Sequence, residues 1–357
     1  MRSATPVIDA VSTYGLRAGS PRVRLADWFD HEGLVARWHT YAGTSDVRPG
    51  TMLRHPLAVG RAELAVRRQP RADILTLSRE ASPWSLGGVE EALLARAGRG
   101  VYDVDDAIFD DPSPVRRLMR FERKWKRMLG AADVVIAGND YLAERASRDA
   151  RDVRMIPSCV EPGDYLPKDS WALGELPVLV WLGSPATEHF VVELIEPLTR
   201  LHQRTGARLR LISGSADNPA LAPMAHLLDR VPWDPATVAS ALAGADVALG
   251  PLDDSPYARG KCAYKLLQYA ATGLPVVASP VGANDLALTR FDGVAVGAAD
   301  DWAEAVEAVL AEGEERRRRR GEQGLRAVNE HYSFASWSAS WRAAVLGEES
   351  GSRRRGQ

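Results

Sequence analysis

The stretch from Gly260 to Thr272, GKCAYKLLQYAAT, concentrates side chains that can hold an anion. Lys261, Lys265, Gln268 and Thr272 recur at i, i+4, i+7 and i+11, the spacing of one helix face, while Cys262, Leu266, Leu267 and Ala270 fall elsewhere. Two lysines a turn apart near a helix N-terminus add charge to an end whose free amides and dipole already attract anions, so a diphosphate would be held there. An exposed amphipathic helix carrying ordinary surface lysines explains the same spacing. A second cluster, VYDVDDAIFDD from Val101 to Asp111, packs acids onto the end of an apolar run. Asp105 or Asp106 there can accept a proton from a hydroxyl. Asp103-Val104-Asp105 also spells an Asp-x-Asp able to hold a divalent metal on a diphosphate, and a helix cap would account for Asp110, Asp111 and Ser113 without chemistry.

The elements that position these groups follow from the apolar pattern. Short apolar runs at Ile74–Leu77, Gly100–Tyr102, Asp133–Ala137, Val178–Trp181, Leu209–Ile212, Asp246–Leu249 and Pro275–Ala278 are each followed by helical spacing. That alternation predicts parallel strands covered by helices. The turn-rich segment Met155–Pro177 separates two such series and marks a linker. After it, Val178–Trp181, a Gly183-Ser184-Pro185 turn and a helix outline a strand-loop-helix phosphate site, for which a simple helix cap by Ser184 or Thr187 is the local alternative. In the other half, STYGLRAGSPRVR follows an apolar strand; Gly15 and Gly19 permit close backbone approach, and Arg22 or Arg24 can meet an anionic group. The mixed charge run Glu312–Arg320 reads as a solvated helix face, and the chain from about 347 to 357 as a disordered tail.

Bulk properties bound the partners. With 357 residues and 45% hydrophobic content the chain serves two cores, and a net charge of -2 offers no field for nucleic acid. Cys159 and Cys262 are the two cysteines and form no CxxC, and the seven histidines show neither HxxxH nor HExxH, so no transition-metal site is expected. No window reaches the roughly 20 apolar residues that span a bilayer, so a cytoplasmic protein with at most peripheral membrane contact is expected. Oligomeric state is left open.

The Gly260–Asn284 stretch resembles glycosyltransferase family 4, in which a helix of the form Glu, seven residues, Glu-Ala-Met-Ala-x-Gly precedes Pro-Val-Val-Ala-Ser and a glycine loop. Gln268-Tyr269-Ala270-Ala271-Thr272-Gly273 matches the second half of that helix, and Leu274-Pro275-Val276-Val277-Ala278-Ser279 follows in register. A subgroup reading Gly-Lys-Cys-x-Tyr-Lys-Leu-Leu-Gln-Tyr is closer still. The resemblance implies an α/β chain of GT-B fold: two Rossmann-like domains facing a cleft, acceptor domain 1–165, nucleotide-sugar domain 166–332, and a helix over 333–346 crossing back to the first.

It further implies a retaining, metal-independent hexosyltransferase taking a sugar from a UDP- or GDP-sugar to a small molecule or glycan. Donor contacts would come from Gly183, Ser184, Thr187, Trp233, Arg259, Lys261, Lys265, Gln268, Gly282, Ala283 and Asn284, with Trp233 stacking on the base or lying buried in a loop. Acceptor contacts would come from Gly15, Gly19, Arg22 and Arg24, and catalytic ones from Asp105, Asp106 and Lys261. Two departures stand out: Gln268 replaces the Glu that meets the ribose, and Gly260 replaces the Glu that meets the donor sugar. The second leaves a non-catalytic sugar-nucleotide-binding or partner subunit as an alternative. An epimerase lacks a clear set of acids around the sugar, and a dinucleotide oxidoreductase lacks its GxGxxG.

Overall fold

The computed structural model describes residues 6–16, 18–41, 55–110, 121–297 and 302–348. The chain divides into two compact units: Met1–Ser158 with Gly260–Cys262 and Phe334–Gln357, and Cys159–Arg259 with Ala263–Ser333.

The first unit is built on six parallel strands: β1 (Ile8–Ser12), β2 (Ala36–Thr40), β3 (Ile74–Ser78), β4 (Arg99–Val104), β5 (Val134–Ala137) and β6 (Val153–Met155). Their order is β2-β1-β3-β4-β5-β6. β1, β3 and β5 are buried at every position, as parallel strands covered on both faces by helices must be. Leu77, Tyr102, Trp125, Met128, Leu129 and Val135 form the core beneath the helices Gly88–Arg96 and Phe121–Ala131. The last helix, Phe334–Val345, packs on this unit by its aromatic face. Trp341 stacks on Trp28 at 5.2 Å between ring centroids, and Phe334 meets Trp28 edge-on at 4.9 Å.

The second unit repeats the plan with β7 (Val178–Leu182), β8 (Arg208–Ser213), β9 (Leu228–Pro232), β10 (Val247–Gly250), β11 (Val276–Ala278) and β12 (Val294–Ala295). The order is β12-β11-β10-β7-β8-β9. Alternation along β7 divides its side chains between two cores: Val180 and Leu182 pack with the Tyr264–Ala271 helix, while Leu179 and Trp181 pack with Leu209, Leu211 and the Ile195–Thr205 helix.

One sequence reading is corrected here. The charge run Glu312–Arg320 is not wholly a solvated face, because Arg317 is buried and donates to the carbonyls of Trp171, Leu310 and Glu312. Arg230, Val231 and Pro232, which precede Trp233, belong to strand β9. Of the expected tail, Glu348 is ion-paired with Arg342 at 2.7 Å and residues 349–357 lie outside the described set. Asp111 and Ser113 also lie outside it.

Candidate functional site

In an open parallel sheet, ligands are met at the carboxyl ends of the strands, where the strand order reverses direction. In the second unit that point lies between β10 and β7. β7 ends on Leu182, whose N–H donates to Tyr269 Oη at 2.8 Å, and this bond fixes the Tyr264–Ala271 helix against the strand end. Gly183 follows because nothing larger fits: a Cβ there would lie 2.1 Å from the ring of Trp181. Ser184 and Thr187 then close a tight turn. Ser184 N–H donates to Thr187 Oγ1 at 3.2 Å, and Thr187 N–H donates to the Ser184 carbonyl at 2.9 Å. Lys265 Nζ sits 4.3 Å from the centre of the Trp181 ring and donates to Thr187 Oγ1 at 3.3 Å. The turn is therefore closed by its own cap bonds, and Lys265 lies beside it.

Apart from Lys261, the other expected donor residues also lie in the second unit. Gln268 is buried on the Tyr264–Ala271 helix, and Thr272 is fully buried with its hydroxyl donating to the Gln268 carbonyl at 3.0 Å. Gly282 is exposed with φ of +56°, and a side chain on it would meet the Arg259 carbonyl at 2.4 Å. Ala283 starts the helix Ala283–Phe291, and buried Asn284 donates from Nδ2 to the Ser279 carbonyl at 3.2 Å. Arg259 pairs with Asp254 through two bonds of 2.7 and 2.9 Å, so a carboxylate already neutralises the charge assigned to the diphosphate. Trp233 is 40% exposed just beyond β9, which removes the buried-loop alternative.

Lys261 is placed differently from the expectation. The helix begins at Tyr264, after Ala263 at φ of +54°, so Lys261 does not share a helix face with Lys265. Residues 260–262 pack as part of the first unit instead. Lys261 Nζ donates to Asp106 Oδ1 at 2.7 Å, and its carbonyl accepts from Asn139 Nδ2 at 3.0 Å. Gly260 lies against Ala107: a Cβ on it would be 2.4 Å from the Ala107 Cβ and 2.5 Å from its nitrogen. No acid can occupy that position in this packing, which gives the physical reason for the missing Glu.

The first unit has its own reversal point, between β1 and β3. Asp106 accepts from Arg79 Nη1 at 2.6 Å as well as from Lys261. Burial favours its neutral form, but Lys261 and Arg79 together hold its carboxyl below the usual range. Asp105, beside it, is raised by burial and by the Asp106 charge, and its buried Oδ1 has no hydrogen-bond partner among the described residues. One carboxylate is thus held ionised and its neighbour pushed toward the proton-bearing state. Arg79, at φ of +64°, is the residue that sequence reasoning missed. Its carbonyl accepts from Tyr102 Oη at 3.1 Å, its guanidinium reaches Ser20 Oγ at 3.4 Å, and it lies 5.4 Å from the Tyr14 ring centre. In the sequence it is merely a polar residue after an apolar run, and no spacing rule marks it.

Arg24 cannot meet an acceptor anion as expected. It is buried, it makes two 2.9 Å bonds to Asp103, and it donates to the Ile156 carbonyl at 3.0 Å. Burial works against its charge, but Asp103 outweighs this and raises its pKa. That pairing also removes the first ligand of the Asp-x-Asp reading. Arg22 lies 3.6 Å from Asp27 in the helical run 19–31. Gly15 is buried, with its carbonyl accepting from Ala18 N–H at 2.9 Å. Gly19 is exposed at the start of that run, with open space where a side chain would stand.

Two parallel α/β sheets of this kind, each with its strand-end site, define the GT-B class of fold. Residues 176–312 match the family model described as Glycosyl transferases group 1, which covers most of the second unit. Solved structures of similar fold include WaaG, a glycosyltransferase involved in lipopolysaccharide biosynthesis, at 12% identity and TM-score 0.67 over 95% of this chain and 99% of that one. HepE from Anabaena, in complex with UDP and glucose, matches at 11% identity and TM-score 0.63 over 94% and 98%. A UDP-forming alpha,alpha-trehalose-phosphate synthase from Burkholderia vietnamiensis matches at 14% and TM-score 0.62 over 99% and 100%. No curated protein matches the chain by sequence. Among the described residues, no helix is long and apolar enough to cross a membrane.

Proposed function

We propose that this chain is a group 1 glycosyltransferase that moves a sugar, with retention of configuration, from a nucleotide-sugar donor to a small-molecule or glycan acceptor. The observation that carries the reading is the Gly183–Thr187 turn with Lys265 at its mouth, inside the stretch that matches the family model. The Lys265 ammonium there can stabilise a departing diphosphate, the group whose charge grows as the bond to the sugar breaks. A uridine donor is preferred over a guanosine one, since HepE is described with UDP and glucose and the synthase as UDP-forming. The acceptor is assigned to the first unit, where Asp105 can exchange a proton with a hydroxyl while Asp106, Arg79 and Lys261 hold the surroundings fixed. The reaction is read as independent of a metal, because Asp103 is committed to Arg24.

The second reading, a sugar-nucleotide-binding subunit without transfer, is favoured by one feature, the side-chain-free Gly260 packed on Ala107. Melting temperatures measured with UDP, GDP, dTDP and ADP, with and without EDTA, test the donor site, because a ligand that prefers the folded state raises the melting point by mass action. The expected outcome is stabilisation by UDP, unaffected by EDTA and lost in Lys265→Ala. Stabilisation by no nucleotide, or only with a divalent metal, overturns the assignment. Release of UDP from UDP-sugars then separates transferase from binding subunit.

A further inference from the structure

Glu188 is 1% exposed, yet neither motif nor resemblance gives it a task. It follows directly on the Ser184–Thr187 turn and opens the short helix His189–Val192. Its Oε1 accepts from Arg230 Nη1 at 2.9 Å, and its Oε2 accepts from Arg230 Nη2 at 3.2 Å and from Asn218 Nδ2 at 3.0 Å. These bonds, Arg230 first among the hydrogen-bonding partners, hold its carboxyl below the usual range against the opposing effect of burial. Arg230 Nη1 also donates to the Gly214 carbonyl at 3.0 Å, and Trp233 N–H donates to the Ser213 carbonyl at 2.7 Å. Asn218 in turn caps the turn that follows it, accepting from Ala220 N–H at 3.0 Å. One carboxylate therefore ties three separate pieces of chain: the turn after β7, the loop after β8, and the end of β9 that presents Trp233.

We infer that Glu188, acting through Arg230, is a positioning residue that sets the distance between the diphosphate turn and the wall that reads the nucleotide base. The inference rests on the donor site proposed above. A phosphate group needs the Ser184–Thr187 turn and Lys265 alone, whereas base discrimination needs that turn and Trp233 to be held at one spacing. Bidentate Arg-carboxylate geometry is suited to this, since it fixes orientation as well as distance.

The test compares binding of UDP, ADP and inorganic pyrophosphate, by calorimetry, to the wild-type full chain, to Glu188→Gln, and to a double variant, Glu188→Leu with Arg230→Met. The double variant keeps the site filled by apolar groups, so that no lone charge is buried and the fold survives. In both variants UDP affinity is expected to fall about tenfold or more, the UDP-to-ADP ratio to collapse toward one, and pyrophosphate affinity to stay within about twofold, a tenfold change being 1.4 kcal/mol. An unchanged UDP-to-ADP ratio, or equal weakening of UDP and pyrophosphate, overturns the inference. If wild-type protein binds none of the three, the donor site itself fails instead.

Discussion

Restoring a side chain at Gly260 is the sharpest probe of why this sequence departs from the family pattern. Its backbone φ is not positive, so alanine is allowed by conformation and the question is purely one of space. A Cβ there would lie 2.4 Å from the Ala107 Cβ and 2.5 Å from its nitrogen, distances at which something must shift. Overpacking of a filled site costs about 1–3 kcal/mol. Against this, replacing Gly by Ala restricts the unfolded chain and contributes about 0.4–1 kcal/mol of stability. The net expectation for Gly260→Ala is a loss of about 1.3 kcal/mol, the midpoint of the first range less the midpoint of the second. Gly260→Glu loses more, because the longer acid must also displace the backbone of Ala107 and give up water. Urea unfolding at a fixed slope reads these losses directly. Adding Ala107→Gly is expected to recover part of the loss, since the contact with the Ala107 Cβ vanishes while that with its nitrogen stays. Gly260→Ala at or above wild-type stability, or Gly260→Glu folding normally with faster sugar transfer, would refute the packing argument.

Two further predictions concern the carboxylates of the first unit. Asp106→Asn removes the buried carboxylate that Arg79 and Lys261 share, so a loss toward the lower end of about 3–5 kcal/mol is expected; a loss under about 1 kcal/mol in equilibrium unfolding would show that the triad is not coupled. Asp103 titrates near 6, raised by burial despite Arg24, so the folded state takes up a proton between pH 6 and its ordinary 3.8 that the unfolded state releases. Its effect is therefore a stability that rises as pH is lowered through that window. Asp106 acts in the opposite sense, since its contribution is present above its ordinary value of 3.8 and is lost as pH falls through its lower folded value. Asp103→Asn is expected to remove the first slope and keep the second; identical pH profiles of melting temperature for both proteins would rule this out.

The inner strands were legible because they are buried on both faces and must read as apolar runs, which is what Ile74–Leu77 and Val178–Trp181 do. The edge strands β2, β6, β9 and β12 were not picked out, because each is partly exposed and mixes Arg, His or Asp into its pattern or is only two residues long. Arg230 is the instructive case, since in the sequence it is a polar residue before a turn, and only pairing with Glu188 ties it to the turn after β7. The Gly183 turn, Thr187 and Lys265 could be read locally, because strand, turn and helix follow one another within short stretches whose residue types state their conformations. Lys261 could not, because helical periodicity assigns it to the face of Lys265, while the left-handed backbone at Ala263 breaks the helix and delivers Lys261 to Asp106, 155 residues away in sequence. For the same reason Arg24, expected to meet an anion, pairs with Asp103, and Arg79, which carried no expectation, pairs with Asp106. Sequence spacing records which residues are near along the chain, but which carboxylate each cation meets depends on the order of parallel strands, and that order is decided only when the sheet closes.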